Sequence, residues 1–299
     1  MSSQPAIFCL LIVGGFVVMP APGDNPAKVT RYYNQFWFDP ETMKPLINTP
    51  GHVRAMEMLV ELCKYGPAAM VGWGLGEAWD VFLRGDAAMV FTFGDVGTLS
   101  QDTRVSVVQG KLGVVPIPGS SEVYNLETNE WVKMDKSNLV ANESGASWHG
   151  VITKYAEDPD MIAHFFSWQA TPEINHWNVA WGWTGVDPGT VYDFLEPEGQ
   201  AKIEDYTTTG YNEADVREFL DAYNTMWFKY PLSIPYLRIA GAADYIESLD
   251  IHMSEALTNQ ATPQEALDRV AKDWENITEE LGREEQKALY WDAIGYSGE

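Results

Sequence analysis

A helix, a glycine and an unbroken apolar run follow one another in the stretch GEAWDVFLRGDAAMVFTFGD, residues 76–95. The helical part ends at Arg84, Gly85 stops it, and the run from Ala87 to Phe93 contains no charged residue. A continuous apolar run after a helix predicts a strand that is buried on both faces of a sheet. Alternating helices and apolar strands predict an α/β layered fold.

The stretch TPQEALDRVAKDWENI predicts a well-capped helix near the C-terminus. Thr262 is placed to cap it, Pro263 takes its first position, and Glu265 completes a capping box. The apolar residues that follow fall on one helical face, which predicts a surface helix packed on a core. These residues are Leu267, Val270, Ala271, Trp274 and Ile277.

Two further segments carry local signals. The stretch KLGVVPIPG, residues 111–119, predicts a short strand that its prolines end. The polar residues 120–145 predict a long hairpin or loop. The apolar run at residues 6–19 is too short for a transmembrane helix, which needs about 20 residues. It resembles the apolar part of a signal peptide, but no Lys or Arg precedes it, which favours a buried element of the fold.

Charge and motifs exclude several classes of function. The chain has 299 residues, with 43 acidic and 19 basic side chains and a net charge of -24, so it lacks the basic clusters that bind nucleic acid. Cys9 and Cys63 form no metal-binding or disulfide pattern. No GxSxG, HExxH, phosphate-binding loop or dinucleotide-binding glycine motif is present. The sequence therefore predicts neither an enzyme nor a cofactor or metal site.

Four phrases occur in an order that resembles a known family: FLRGDAAMVF, GKLGVVPIPG, GVITKYAEDPDMIAHFFSWQATPE and TPQEALDRVAKDWENI. They resemble the extracellular solute-binding proteins of bacterial ABC importers, in the branch that binds sugars and polyols. The third phrase is similar to that family's crossing strand, followed by a helix from Pro159 to Trp168 and a new helix start at Thr-Pro-Glu. The match covers residues 8–290 and corresponds to the later part of a family member.

The resemblance implies a periplasmic-binding-protein-like fold of type II, with two lobes joined by a hinge and the first lobe incomplete. Residues 1–146 and 196–299, the latter with the C-terminal helices, are expected to build the second lobe, and residues 147–195 to be a remnant of the first. The implied function is capture of a carbohydrate or polyol and its delivery to an ABC permease in the membrane. The implied location is periplasmic or extracellular, and the complete protein is expected to be a monomer.

The helical segment HFFSWQATPEINHWNVAWGW, residues 164–183, carries two phenylalanines and four tryptophans. Two surface helices cannot leave so much apolar area in water without a partner, so they predict a sheet that packs against them. We therefore interpret the chain as a fragment, or a mis-started reading frame, of a longer binding protein.

Candidate ligand contacts come from aromatic and charged residues at strand ends and crossovers. Sugar sites use aromatic rings against the C–H face of the ligand, and carboxylates or Arg for its hydroxyls. Phe93 and Asp95 follow the predicted buried strand, although Asp95 also suits a helix N-cap and Phe93 a core position. Trp148 lies at the predicted crossing between lobes, where a packing role is the alternative.

Two more pairs complete the predicted site. In WGWTGVDPGTVYDF, Trp183 and Asp187 stand at a helix exit beside an Asp-Pro-Gly turn, which the resemblance places at the rim of the cleft. Many relatives have a different continuation at this turn. Tyr236 and Arg238 lie in SIPYLRIAG, which the resemblance places as a segment that brings an aromatic residue into the cleft; a structural salt bridge is the alternative for Arg238.

Two other classes of function stay open at this point. Paired carboxylates and clustered aromatic residues also describe glycoside hydrolases. A non-catalytic interaction fragment is the third reading. Turnover of an oligosaccharide would distinguish a glycoside hydrolase from a binding protein. Self-association without ligand would indicate an interaction fragment.

Overall fold

The computed structural model describes residues 14–142, 150–181 and 185–298. Its strands are β1 (Ser120–Asn125), β2 (Glu130–Asn138), β3 (Val140–Asn142) and β4 (Leu232–Ile234). Its main helices are α1 (Pro50–Leu62), α2 (Leu75–Leu83), α3 (Asp95–Leu99), α4 (Pro159–Gln169), α5 (Pro172–Ala180), α6 (Ile203–Thr207), α7 (Glu213–Asn224), α8 (Ala242–Leu257), α9 (Pro263–Glu280) and α10 (Arg283–Ile294). The shorter turns are the 3₁₀ segments Cys63–Tyr65 and Ala68–Gly72 and the π-helical turn Thr225–Lys229.

The chain divides into two compact units. Unit 1 comprises the described residues of Met1–Gly74, Ile117–Ala146 and Tyr230–Glu299, and unit 2 those of Leu75–Pro116 and Ser147–Lys229. These boundaries differ from the lobe boundaries predicted from the sequence, except at residues 146 and 147. The assignment of segments to lobes stays a prediction.

Unit 1 has an aromatic core on the long C-terminal helices. Trp274 of α9 is fully buried and lies 5.2 Å from Phe38 and 5.6 Å from Tyr245 between ring centroids. Its indole N–H donates to the carbonyl of Tyr245 at 2.8 Å, so the buried polar atom is satisfied. The predicted capping box of this helix, formed by Thr262 and Glu265, is confirmed.

The predicted hairpin is confirmed, because β1 and β2 pair in antiparallel fashion. Asn138 at the end of β2 ties it to the first described residues by donating to the carbonyls of Gly15 and Val18, both at 2.9 Å. Phe16, Val17 and Val18 are buried, so the described end of the apolar run 6–19 is part of the core. β3 pairs with β4 in parallel.

Unit 2 is built around α5, α6 and α7. Its core includes Val179, Tyr206, Val216 and Phe219, all nearly inaccessible to solvent. Asp193 is buried beside them, and its carboxylate accepts hydrogen bonds from the backbone N–H groups of residues 189 and 190 at 3.0 and 2.8 Å. This buried carboxylate fixes the turn that follows the Asp-Pro-Gly sequence.

The predicted buried strand at residues 87–93 is wrong. The helix before it does end near the predicted glycine, and Gly85 has a φ of +76°. The apolar run is nevertheless irregular, with Met89 and Phe91 exposed. A strand needs a neighbour that accepts its backbone hydrogen bonds, and no described residue pairs with this run as a strand.

The predicted strand at residues 111–119 is also wrong, for a reason visible in its hydrogen bonds. The backbone N–H groups of Leu112 and Val114 donate to the side chains of Asp215 and Glu218 on α7, at 3.3 and 3.1 Å. Pro116 and Pro118 have no N–H to offer a strand. The start of the third phrase, which resembles the family's crossing strand, is likewise irregular at residues 150–153.

The helices α4 and α5 begin at Pro159 and Pro172, as predicted. Their aromatic side chains lie open to solvent: Phe165, Phe166, Trp168, Trp177 and Trp181 are exposed by 50, 36, 48, 55 and 47%. We call these five side chains the aromatic face. Among the described residues, no helix combines the length and the apolar character that crossing a membrane requires.

Candidate functional site

The candidate site in unit 2 begins at a close contact between α3 and α7. Gly94 packs so tightly against Tyr223 of α7 that a Cβ at this position would overlap the phenol hydroxyl. A glycine therefore lets the backbone at the start of α3 approach the ring of Tyr223. Asp95 is the first residue of α3, and the N-cap position is Gly94, so Asp95 does not serve as the N-cap considered above.

The loop that carries Asp187 reaches the same place. Gly185 has a φ of +81°, a conformation that favours glycine, and a Cβ at Gly185 would lie 3.4 Å from Cβ of Asp95. Asp187 follows two residues later, and its Oδ1 accepts a short hydrogen bond from the hydroxyl of Tyr223. Asp95, Asp187 and Tyr223 thus form one cluster, which we call the carboxyl cluster.

Loss of solvation and a nearby like charge change the pKa values in this cluster. Loss of solvation raises the pKa of Asp187 to about 7; the negative charge of Asp95 adds to this, and the hydrogen bond from Tyr223 opposes it. Burial also raises the pKa of Asp95. The pKa of Tyr223 is raised well above its ordinary value by burial and by the charge of Asp187. Near neutral pH, both the protonated and the charged form of Asp187 are therefore accessible.

An aromatic group adjoins the carboxyl cluster. The ring of Trp227 meets that of Tyr223 edge to face at 5.4 Å and that of Phe194 at 5.9 Å. Trp227 and Phe228 lie in the π-helical turn that ends α7, with 41 and 67% of their surfaces exposed. π-helical turns are frequent at functional sites because they redirect side chains at a helix end.

The arrangement suits a molecule with several hydroxyl groups. A carboxylate accepts hydrogen bonds from hydroxyls, whereas a protonated carboxyl group also donates one, so Asp187 near its pKa offers both functions. The exposed ring of Trp227 provides an apolar surface for the C–H face of a sugar or polyol. Within the described part of the chain, no cluster of three or more His, Cys, Asp or Glu residues has the arrangement of a metal site.

The structure brings together two of the predicted site residues, Asp95 and Asp187. Phe93 directly precedes Gly94 and is half-buried, but it does not end a strand. Trp148 and Trp183 lie outside the described residues.

Tyr236 and Arg238 belong to unit 1, after β4. They are exposed, while Leu237 and Ile239 between and after them are buried, so side chains alternate along this segment. The guanidinium of Arg238 donates to the carbonyl of Ala293 at 3.1 Å, and it forms no ion pair with any described residue. The salt bridge considered as its alternative role is therefore absent from the described part of the chain.

Sequence reasoning missed Tyr223 and Trp227. The signal that could have revealed Trp227 is the stretch DAYNTMWFKY, in which Trp227, Phe228 and Tyr230 follow the end of an amphipathic helix. Trp183 was predicted as a site residue because it is an aromatic residue at a helix exit. The aromatic residues after the end of α7 have the same pattern.

No protein-family profile matches this chain, and no curated protein matches it either. Among solved structures, an ABC transporter solute-binding protein from Agrobacterium vitis S4 with bound D-mannitol is similar, with a TM-score of 0.61 and 18% identity. The alignment covers 93% of this chain and 58% of that one. The maltose-bound MalE3 of T. maritima is similar with a TM-score of 0.56 and 18% identity, over 91% of this chain and 57% of that one.

The two comparisons confirm the predicted fold class. The chain has a periplasmic-binding-protein-like α/β fold in part, since it spans less than two thirds of the length of either structure. The structural neighbours are sugar- and polyol-bound proteins of the kind that the four sequence phrases indicated.

Proposed function

We propose that this chain belongs to the solute-binding component of an ABC importer, which captures a carbohydrate or polyol and delivers it to a membrane permease. The observation that carries the proposal is the carboxyl cluster with Trp227 beside it: two carboxyl groups, a phenol hydroxyl and an exposed indole on one side of unit 2. The fold shared with mannitol-bound and maltose-bound proteins supports the class of ligand. The proposed location is periplasmic or extracellular.

The proposed mechanism is binding without covalent chemistry. The carboxyl groups of Asp95 and Asp187 exchange hydrogen bonds with hydroxyls of the ligand, while Trp227 covers its apolar face. Lobe closure around the ligand, followed by docking to the permease, belongs to this proposal and follows the general behaviour of hinged binding proteins.

A carboxyl group with a raised pKa beside a second carboxyl group is also what glycoside hydrolases use as their acid. The similar structures, however, are a maltose-bound protein and a solute-binding protein with bound D-mannitol. This similarity favours capture of a ligand over its turnover. Incubation with maltose distinguishes the two, because a hydrolase releases glucose and a binding protein returns the disaccharide intact.

The direct test is a melting screen of the chain with D-mannitol, maltose and other sugars and polyols. A ligand that binds only the folded state at about a hundredfold excess over Kd stabilises it by about 2.7 kcal/mol. We expect Asp187→Asn and Trp227→Ala to weaken binding by about tenfold each. The matched control is Trp131→Ala in unit 1, because Trp131 is 40% exposed and Trp227 is 41% exposed. Equal binding by all these variants, or no response to any compound, would contradict the proposal.

A further inference from the structure

Unit 1 contains a groove of about 740 Å³ that the proposed function does not use. Three parts of unit 1 line it: residues 31–50, the end of β1 with the turn of the β1–β2 hairpin, and the middle of α9. Its volume lies within the range of about 300–1,000 Å³ that is common for small-molecule sites. Two half-buried tyrosines, Tyr32 and Tyr124, contribute to its wall.

The acidic side chains of the groove already have cationic partners. Asp39 accepts from Nε and Nη2 of Arg31 at 3.3 and 3.2 Å, and its other oxygen accepts from two backbone N–H groups. Glu275 forms an ion pair with Arg283. The guanidinium of Arg31 lies 5.3 Å from the ring centroid of Tyr32, which fixes it along the wall of the groove. Each of these two carboxylates therefore has an arginine partner, which it shares with a second carboxylate: Arg31 also pairs with Glu41, and Arg283 also pairs with Glu279.

Two cationic side chains of the same groove are not neutralised. Lys44 and Lys272 both line it, and neither forms an ion pair or a side-chain hydrogen bond with any residue in the described ranges. Asn48, Thr49 and Asn129 add neutral polar groups to the lining.

We infer that this groove is a second binding site, for a small hydroxylated molecule that carries a carboxylate or a phosphate group. The two ammonium groups attract the anion, the amides of Asn48 and Asn129 meet hydroxyls, and the tyrosine rings contact the apolar part of the molecule. Sugar acids and sugar phosphates share this chemistry. The site lies entirely within unit 1, whereas the carboxyl cluster lies entirely within unit 2.

The test is calorimetric titration of the whole chain with D-glucuronate, D-glucose 6-phosphate and neutral D-glucose. We expect at least one of the two acids to bind saturably and at least about tenfold more tightly than glucose. Lys44→Gln and Lys272→Gln should each weaken that binding by about tenfold, and raising the NaCl concentration from about 50 to about 500 mM should weaken it further. Comparison of the two acids shows whether the site prefers a carboxylate or a phosphate.

The matched control is Lys136→Gln, since Lys136 is an exposed lysine of β2 that lies outside the groove. It should bind the acid as the unchanged chain does. Asp187→Asn should reduce mannitol or maltose binding and leave the acid bound, and the two groove variants should do the reverse, so the two sites are tested separately. The inference is overturned if neither acid binds, if glucose binds equally well, or if both groove variants keep full affinity.

Discussion

The hydroxyl of Tyr223 donates a hydrogen bond to Oδ1 of Asp187, and this contact joins two segments that lie 36 residues apart. It holds the start of the Asp-Pro-Gly turn against the end of α7. Asp95 at the start of α3 places a second carboxyl group close enough to raise the pKa of Asp187. Each substitution in the cluster therefore changes the pKa of Asp187 in a direction that these contacts define.

The first prediction concerns these directions. Asp95→Asn removes a like charge, so the pKa of Asp187 should fall below about 7. Tyr223→Phe removes a hydrogen bond that stabilises the charged form, so the pKa should rise. Carboxyl ¹³C chemical shifts followed by NMR as a function of pH measure both values. Shifts in the same direction for the two variants would contradict the described geometry.

The second prediction concerns His52, which is buried in α1. Its Nδ1 lies 3.0 Å from the hydroxyl oxygen of Thr49, whereas its Nε2 is buried and has no hydrogen-bond partner among the residues that the structure describes. Burial lowers the pKa of His52 from its ordinary 6.5 to about 3. As the pH falls below 6.5, the unfolded chain takes up a proton that the folded chain does not bind, so the free energy of unfolding decreases until about pH 3.

The slope from this one group is at most about 1.4 kcal/mol per pH unit. His52→Leu removes the group, and unit 1 of the variant should lose less stability between pH 6.5 and pH 4 than unit 1 of the unchanged chain. Hydrogen exchange of the α1 amides at several pH values measures this for the unit that contains His52. An identical pH dependence in the two proteins would show that His52 is protonated without cost in the folded state.

The sequence predicted the helices better than the strands. Caps and periodicity are local, so the start of α9 at Thr262 and Pro263 followed directly from the sequence. A strand depends on a neighbour that the sequence does not specify. The apolar run 87–93 therefore gave a wrong prediction, and the backbone of residues 112 and 114 bonds instead to carboxylates of α7, a choice that apolar periodicity does not reveal.

In the candidate site, too, the sequence predicts single residues better than the contacts between them. Asp95 and Asp187 were selected one at a time, from a predicted strand end and from a turn, and their proximity depends on a contact made by a third residue, Tyr223. Tyr223 itself carries no turn or strand signal, because it lies inside a helix. Pairwise contacts between distant segments are set by the packing of α3 and α7, and a single sequence contains no direct record of that packing.

The third prediction concerns Trp274, the centre of the core of unit 1. Its side chain is fully buried against Trp37, Phe38 and Tyr245. Trp274→Ala should lower the free energy of unfolding of unit 1 by about 3–5 kcal/mol, because the truncation leaves a large cavity. Trp131→Ala, at an exposed position of β2, should cost about 1 kcal/mol or less. Denaturant unfolding followed by circular dichroism measures both; similar costs for the two would contradict the described core.

The fourth prediction concerns the capping box of α9. The hydroxyl of Thr262 accepts from the N–H of Glu265, and the carboxylate of Glu265 accepts from the N–H of Thr262 at 2.9 Å. Thr262→Ala should lower stability by about 1 kcal/mol. Because the two side chains act as a pair, Glu265→Ala should cost less in the Thr262→Ala background than in the unchanged chain. Additive costs in this double-mutant cycle would show that the two hydrogen bonds form independently.

The last prediction concerns the aromatic face of α4 and α5. Four exposed aromatic side chains on two consecutive helices, with Trp181 directly after the second, form more apolar surface than scattered surface residues do, and such patches bind hydrophobic dyes. We expect the folded chain to enhance the fluorescence of an anilinonaphthalene dye. Phe165→Ser and Trp177→Ser should each reduce this signal without lowering the stability of unit 2, because both side chains are at least half exposed and contribute little to its core.

The matched control is Val179→Ser, since Val179 lies on the same helix as Trp177 but is fully buried. This variant should lower the stability of unit 2, because it places a hydroxyl in an apolar core, and should not reduce dye binding by the folded chain. A sharply melting monomer that binds no dye would show that the aromatic face is covered, and would count against the hypothesis that these helices expect a sheet to pack against them. Dye binding that persists in both surface variants would place the exposed apolar area elsewhere in the molecule.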